Sequence, residues 1–231
     1  MDPREVFADE RHAAFCVFCG DSPTTREHAA SRVLLDDPLP DDLPLVGSCH
    51  RCNNGFSRDE EYLACLIDCV LNGSAEPEKV RRPKVRASLL HSPALAARIA
   101  AGRTEDDSGR MIWQTEQERV QKVIVKLARG HIAHQYNEPQ LDEPESVRVL
   151  PLELMTREQR AGFESIPRTS AYPEVGSRAF LNLFVVGDKT FDAGSGWSVL
   201  QEGRYRYAVA LPGSPIVRIV LSEYLACEVC W

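Results

Sequence analysis

Two Cys-x2-Cys pairs, Cys16/Cys19 and Cys49/Cys52, constrain this chain more than any other feature of it. Each pair is a tight turn that directs both sulfurs to one point, and four thiolates so directed suit tetrahedral Zn²⁺. Eight cysteines occur in all, the others as Cys65-x3-Cys69 and Cys227-x2-Cys230. The N-terminal stretch MDPREVFADERHAAF is charged and carries no apolar signal core, so the expected compartment is the reducing cytoplasm, where paired cysteines read first as metal ligands. A structural zinc held by Cys16, Cys19, Cys49 and Cys52 is therefore expected. The 29 residues between the pairs are rich in Pro, Asp and short turns, with brief apolar patches at Val33-Leu34-Leu35 and Leu45-Val46. Such a stretch cannot build a large core alone, which is where a metal staple is useful.

The rest of the chain bounds the problem. Its 231 residues suffice for one large domain or two small ones. No run approaches the ~18–20 apolar residues that cross a bilayer, so no membrane partner is expected. A net charge of −7 argues against a protein that coats nucleic acid nonspecifically, since phosphate binding is driven by Lys and Arg. Local positive charge, metal ions or a protein partner would have to supply affinity for DNA.

Residues 1–15 read as a helical or irregular lead-in. Ser57 followed by Glu60 fits a capping box, with Tyr62, Cys65, Leu66, Cys69 and Val70 at helical spacing and Asn72-Gly73-Ser74 as the stop. A basic tract of Lys79, Arg81, Arg82, Lys84 and Arg86 follows. Residues 86–101 read as a helix interrupted near Pro93, 102–109 as a polar loop, 115–136 as a strong helix and 156–165 as a short one. From 178 onward the pattern changes to strands at 180–186, 197–201, 205–211 and 216–221, with a hairpin turn at Glu202-Gly203. The fold class expected is α+β, with a zinc module at 1–75 and a second region at 76–231 that has a helical middle and C-terminal antiparallel strands.

Between the cysteine pairs lies Thr25-Arg26-Glu27-His28, and Asn53-Asn54 directly follows Cys52. This arrangement resembles the HNH, or ββα-metal, nuclease family over residues 16 to about 62, with two zinc knuckles on a treble-clef-like module. The resemblance implies that Glu27 binds a catalytic Mg²⁺ or Mn²⁺, that His28 is the general base, and that Asn53 is the second metal ligand. Asn54 replaces Asn53 if the register slips by one. The chemistry is suited to this: a hard cation on one carboxylate and one amide oxygen keeps positions open for phosphate and water, and an imidazole takes the water's proton. Two positions depart from the family. Glu27 stands where Asp is usual, and Pro44 stands about where a bracing Asn is expected, leaving that role to Asp41, Asp42 or backbone carbonyls. The implied activity is metal-dependent endonucleolysis of DNA, with RNA open as a substrate, in bacterial defence or restriction. A homodimer would cut both strands. The alternative is an inactive zinc-stabilised subunit that binds nucleic acid or protein.

Other features have plainer readings. The basic tract is either a solvated surface or the surface that grips substrate phosphates. His50 reads as a solvent-facing knuckle residue, and Asp59, Glu60 and Glu61 as acids at a helix start rather than metal ligands. Cys65 and Cys69 read as core, and Cys227 and Cys230 as packing residues rather than a redox pair. His131 and His134 lack a completing ligand. Arg204-Tyr205-Arg206-Tyr207 reads as a strand with Tyr inward and Arg outward, in preference to a base-stacking strip.

Overall fold

The computed structural model of the chain describes residues 14–170, 173–175, 177–182, 191–192 and 195–231. The fold is mixed α+β. The chain forms two compact units, one made of the described residues up to Gly55 with Ile124–Trp231, the other of Phe56–Val123.

In the first unit a short hairpin pairs β1 (Thr25–His28) with β2 (Leu45–Ser48), Glu27 facing Val46 and His28 facing Leu45. Helix α1 (His50–Asn72) follows at once. Its start lies seven residues before the capping box expected at Ser57, which is instead inside the helix. The reason is local: Cys49 itself caps the helix, its Sγ accepting from Cys52 N–H at 3.4 Å and its carbonyl from Asn53 N–H at 3.0 Å. Gly73, at φ +66°, ends the helix as expected. The bonds Ser74 N–H to Cys69 O and Gly73 N–H to Val70 O close a Schellman motif, which needs this left-handed residue.

The second unit continues through helices α2 (Pro83–His91) and α3 (Pro93–Ala101). Proline at the first position of each explains the break between them. The stretch read as a polar loop is a hairpin, β3 (Arg103–Glu105) with β4 (Met111–Trp113), turned by Asp106 accepting from Ser108 and Arg110. Arg82 and Asp68 form an ion pair of 2.8 Å with side chains 7% and 5% exposed. Arg119 and Lys122 grip Asp59 at 2.6 and 2.7 Å.

Helix α4 (Gln117–Tyr136) matches the strongest helical pattern in the sequence. After it comes an antiparallel sheet in the order β5-β10-β9-β8-β7-β6, with β5 Ser146–Pro151, β6 Phe191–Asp192, β7 Trp197–Gln201, β8 Tyr205–Ala210, β9 Ile216–Leu221 and β10 Leu225–Cys230. Three of these strands lie where alternation puts them. The strand expected at 180–186 does not form at its start: Arg178–Asn182 is helix α6, and 183–186 lie outside the described residues, as does most of the lead-in at 1–15. Strands β5 and β10 pair over six residues and went unpredicted, since each is a short run with a charge at its centre, Arg148 facing Glu228.

Both faces of the sheet are covered. On one, Trp197, Ala208, Val220 and Ala226 pack with Leu152 and with Phe163 of helix α5 (Arg157–Glu164), which the Thr156/Gln159 capping box starts. On the other, His131 of α4 stacks on Tyr207 at 3.7 Å between ring centroids and bonds Tyr205 Oη at 2.7 Å. The segment between β1 and β2 is tied to the sheet as well, Asp36 meeting Gln201 and Arg204. No described helix is long and apolar enough to cross a membrane.

Removing one partner of a buried ion pair leaves an uncompensated charge, a loss of about 3–5 kcal/mol. Arg82→Met should therefore lower stability by about that much in urea unfolding, and adding Asp68→Asn should recover a large part of it.

Candidate functional site

The first knuckle is built by backbone bonds. Cys16 N–H donates to Asp21 O at 2.7 Å, and Cys19 and Gly20 N–H both donate to Cys16 O, with Gly20 at φ +78°. Val17 N–H donates to Gly47 O at 3.1 Å, which ties this knuckle to β2. The second knuckle is the start of α1. Together they bring the sulfurs of Cys16, Cys19, Cys49 and Cys52 within 4.8 Å of one another. Cys19 and Cys49 Sγ lie 3.7 Å apart, matching the ~3.8 Å edge of a tetrahedron with Zn–S bonds of ~2.3 Å. The donor set and the spacing thus fit a metal such as zinc. The Cys52 N–H lowers the Cys49 thiol to about 7, while burial raises Cys19 and Cys52. One sulfur is thereby ready to bind metal as thiolate, and the others would be deprotonated by the metal itself. No other group of three His, Cys, Asp or Glu ligands converges among the described residues.

Beside this cluster lies the end of β1. Thr25 and Glu27 share a face of the strand and His28 takes the other, because side chains alternate. Asn53, in the first turn of α1, donates through Nδ2 to Thr25 Oγ1 at 3.4 Å and Arg26 O at 3.3 Å, so it reaches over the Glu27 face. Asn54 is exposed. Glu27 gives Oε1 to the ammonium of Lys126 at 3.0 Å, leaving Oε2 outside that ion pair. His28 is half-buried, and its Nδ1 is sheltered without a hydrogen-bond partner. Burial, then the charges of Arg32 and Lys126, lower its pKa and favour the neutral imidazole. A neutral ring beside a carboxylate on an adjacent strand position can accept a proton while the carboxylate binds a cation. Ala29 N–H donates to Pro44 O at 2.9 Å, so a backbone carbonyl braces the segment after His28, while Asp41 and Asp42 are exposed.

Lys126 is the residue that sequence reasoning missed. Its signal is faint: a lysine between the apolar positions Val123 and Leu127 of an amphipathic helix.

The remaining candidates fall elsewhere. His50 is exposed at the surface of the second knuckle. Asp59 is held by Arg119 and Lys122, Glu60 is buried and Glu61 half-buried. Within the basic tract, Lys79 pairs with Glu76, Arg82 is buried on Asp68, and Arg86 donates to Val80 O. Arg81 is exposed and Lys84 half-buried. Arg82 is thus committed to the protein interior and is not offered to a polyanion. Burial pushes Cys65 and Cys69 up to about 12, which leaves them as inert apolar packing. Cys227 and Cys230 lie three apart on β10 and so point to opposite faces, a placement that prevents a bond between them. His131 is fully buried against two tyrosines. Tyr205 and Tyr207 point inward, while Arg206 is held by Glu164 and Glu223 and stacks on Trp197.

Comparison of this chain with protein-family models, curated proteins and solved structures finds no match.

One tightly bound zinc per chain is the expected result of elemental analysis on purified protein. Cys16→Ser or Cys49→Ser should abolish it and lose the thermal transition of the first unit, because metal binding and folding are linked here.

Proposed function

We propose that residues 16 to about 62 form a zinc-stapled HNH-type (ββα-metal) nuclease module that hydrolyses phosphodiester bonds of DNA. The observation that carries this reading is Glu27-His28 at the end of a hairpin, between the two knuckles, with Asn53 at the helix start bonded back onto the same strand. In this reading the cysteines hold structural zinc, while Glu27 (through Oε2) and Asn53 hold a divalent cation such as Mg²⁺ or Mn²⁺. That cation would stabilise charge on the scissile phosphate and on the leaving oxygen. His28 takes a proton from the attacking water as its oxygen bonds to phosphorus. The P–O bond opposite breaks, and the departing oxygen is protonated by solvent. Arg32, close enough to act on His28, is better placed for phosphate contact than the basic tract, most of which is spent on internal pairs.

The net charge of −7 suits an enzyme guided to DNA by local charge or a protein partner. One module nicks one strand, and a homodimer would supply the second cut. A cytoplasmic role in defence or restriction rests on the family resemblance alone. A second reading, a zinc-stabilised module that binds without cutting, is favoured by one observation: Glu27 is already paired with Lys126.

Purified, zinc-loaded protein should nick supercoiled plasmid in Mg²⁺ or Mn²⁺, and His28→Ala should lower the rate by about 10²–10⁴-fold with zinc retained. Equal cutting by both proteins, or none by the wild type, would favour the binding module.

A further inference from the structure

Lys126 is buried where a lone ammonium would be costly. Its side chain is 0% exposed. Its Nζ lies 3.0 Å from Glu27 Oε1, 3.0 Å from the His28 carbonyl oxygen and 3.4 Å from Ser31 Oγ. These acceptors all sit around the end of β1, although the lysine comes 95 to 99 residues later in the chain. One turn further along α4, Gly130 approaches the same segment so closely that a Cβ there would stand 2.9 Å from Ala29 Cα. Positions 126 and 130 share a helix face, so α4 is docked on this segment by one polar contact and one steric one.

Resting on the nuclease reading above, we propose that Lys126 is a positioning residue of the site: it orients the Glu27 carboxylate and the His28 main chain, and makes cation capture at Glu27 depend on a phosphodiester arriving with the metal. The reasoning is a charge count. Glu27 brings one negative charge, Lys126 cancels it, and the Asn53 amide brings none. A divalent cation approaching Oε2 therefore meets no net negative charge and is repelled by an ammonium on the other oxygen of the same carboxylate. A phosphate group of the substrate brings the missing charge. The cation then binds as part of the substrate complex, and the protein holds its metal loosely when DNA is absent. The hydrogen bond to the His28 carbonyl works in parallel, holding the backbone from which the general base projects.

The test is Mn²⁺ titration, read from the paramagnetic resonance signal of the free ion, on zinc-loaded full chain. Wild type, Lys126→Met and Glu27→Gln are each titrated with and without a short DNA duplex whose phosphorothioate linkages resist hydrolysis. The Glu27→Gln titration is subtracted as the contribution of ions bound elsewhere. Wild type should bind Mn²⁺ at least about tenfold tighter with the duplex than without it. Lys126→Met should bind Mn²⁺ at least about tenfold tighter than wild type in the absence of DNA, yet nick plasmid at least about tenfold more slowly because the carboxylate and base are no longer held in place. A purely structural lysine predicts the opposite for the metal, an affinity unchanged or weakened in the folded variant, and that result would overturn the proposal. Wild-type affinity indifferent to the duplex would overturn it too, and this arm stands even if Lys126→Met fails to fold. Mn²⁺ binding by Glu27→Gln equal to wild type in every arm would instead show that the cation does not sit on Glu27, which sinks the nuclease reading and this proposal with it.

Discussion

Convergence of four sulfurs from two knuckles, 30 residues apart between Cys19 and Cys49, is the constraint on which the first part of the chain depends. The segment they bracket has few apolar side chains of its own. A four-residue hairpin pair is marginal in isolation. Pinning one knuckle to β2 through Val17 and making the other the cap of α1 fixes the hairpin relative to the helix start. The candidate catalytic groups sit on those two pinned pieces, so their geometry is inherited from the metal centre. A divalent staple supplies through ligand bonds what a short loop-rich segment cannot obtain from burial.

Buried cations are the second theme of the fold. Lys126, Arg82 and Arg218 all lie inside the protein and each meets oxygen acceptors. Arg218 pairs with Glu228 and also donates to the carbonyls of Gly162, Phe163 and Ser165, at the C-terminal end of α5, where the helix dipole favours a cation. Positive charge that composition alone would assign to the surface is in this way spent on internal structure. That matters for function, because it leaves fewer basic groups to hold a polyanion and gives more weight to those near His28.

Much of the fold was legible in local signals. Helix α4 announces itself through apolar spacing, helix α5 through its capping box, and β7, β8 and β9 through alternation and the turn at Gly203. The misses share one cause. The start of α1 was placed at Ser57 because a serine with a glutamate three residues on is a good cap, whereas a metal-ligating cysteine did the capping. Strand β5 was missed because its reason for being a strand is its pairing with β10, on the far side of the sequence. The hairpin at 103–113 was read as a loop because its turn is made by polar side-chain bonds from Asp106.

What the sequence by itself determined is the set of thiol ligands, since spacing within each Cys-x2-Cys turn is a local property and tetrahedral coordination needs nothing further. It also determined which residues stand beside that cluster, because Glu27, His28 and Asn53 lie within a few positions of the knuckles. What only the tertiary structure decided is which charges face one another. The Glu27–Lys126 pair spans 99 positions, and the burial of Arg82 depends on Asp68 of another helical turn. Spacing and propensity act over a few residues, whereas electrostatic partners are chosen by the packing of distant segments. The local code can therefore name the ligands of a site, but the groups that tune it are assigned only when the chain has folded.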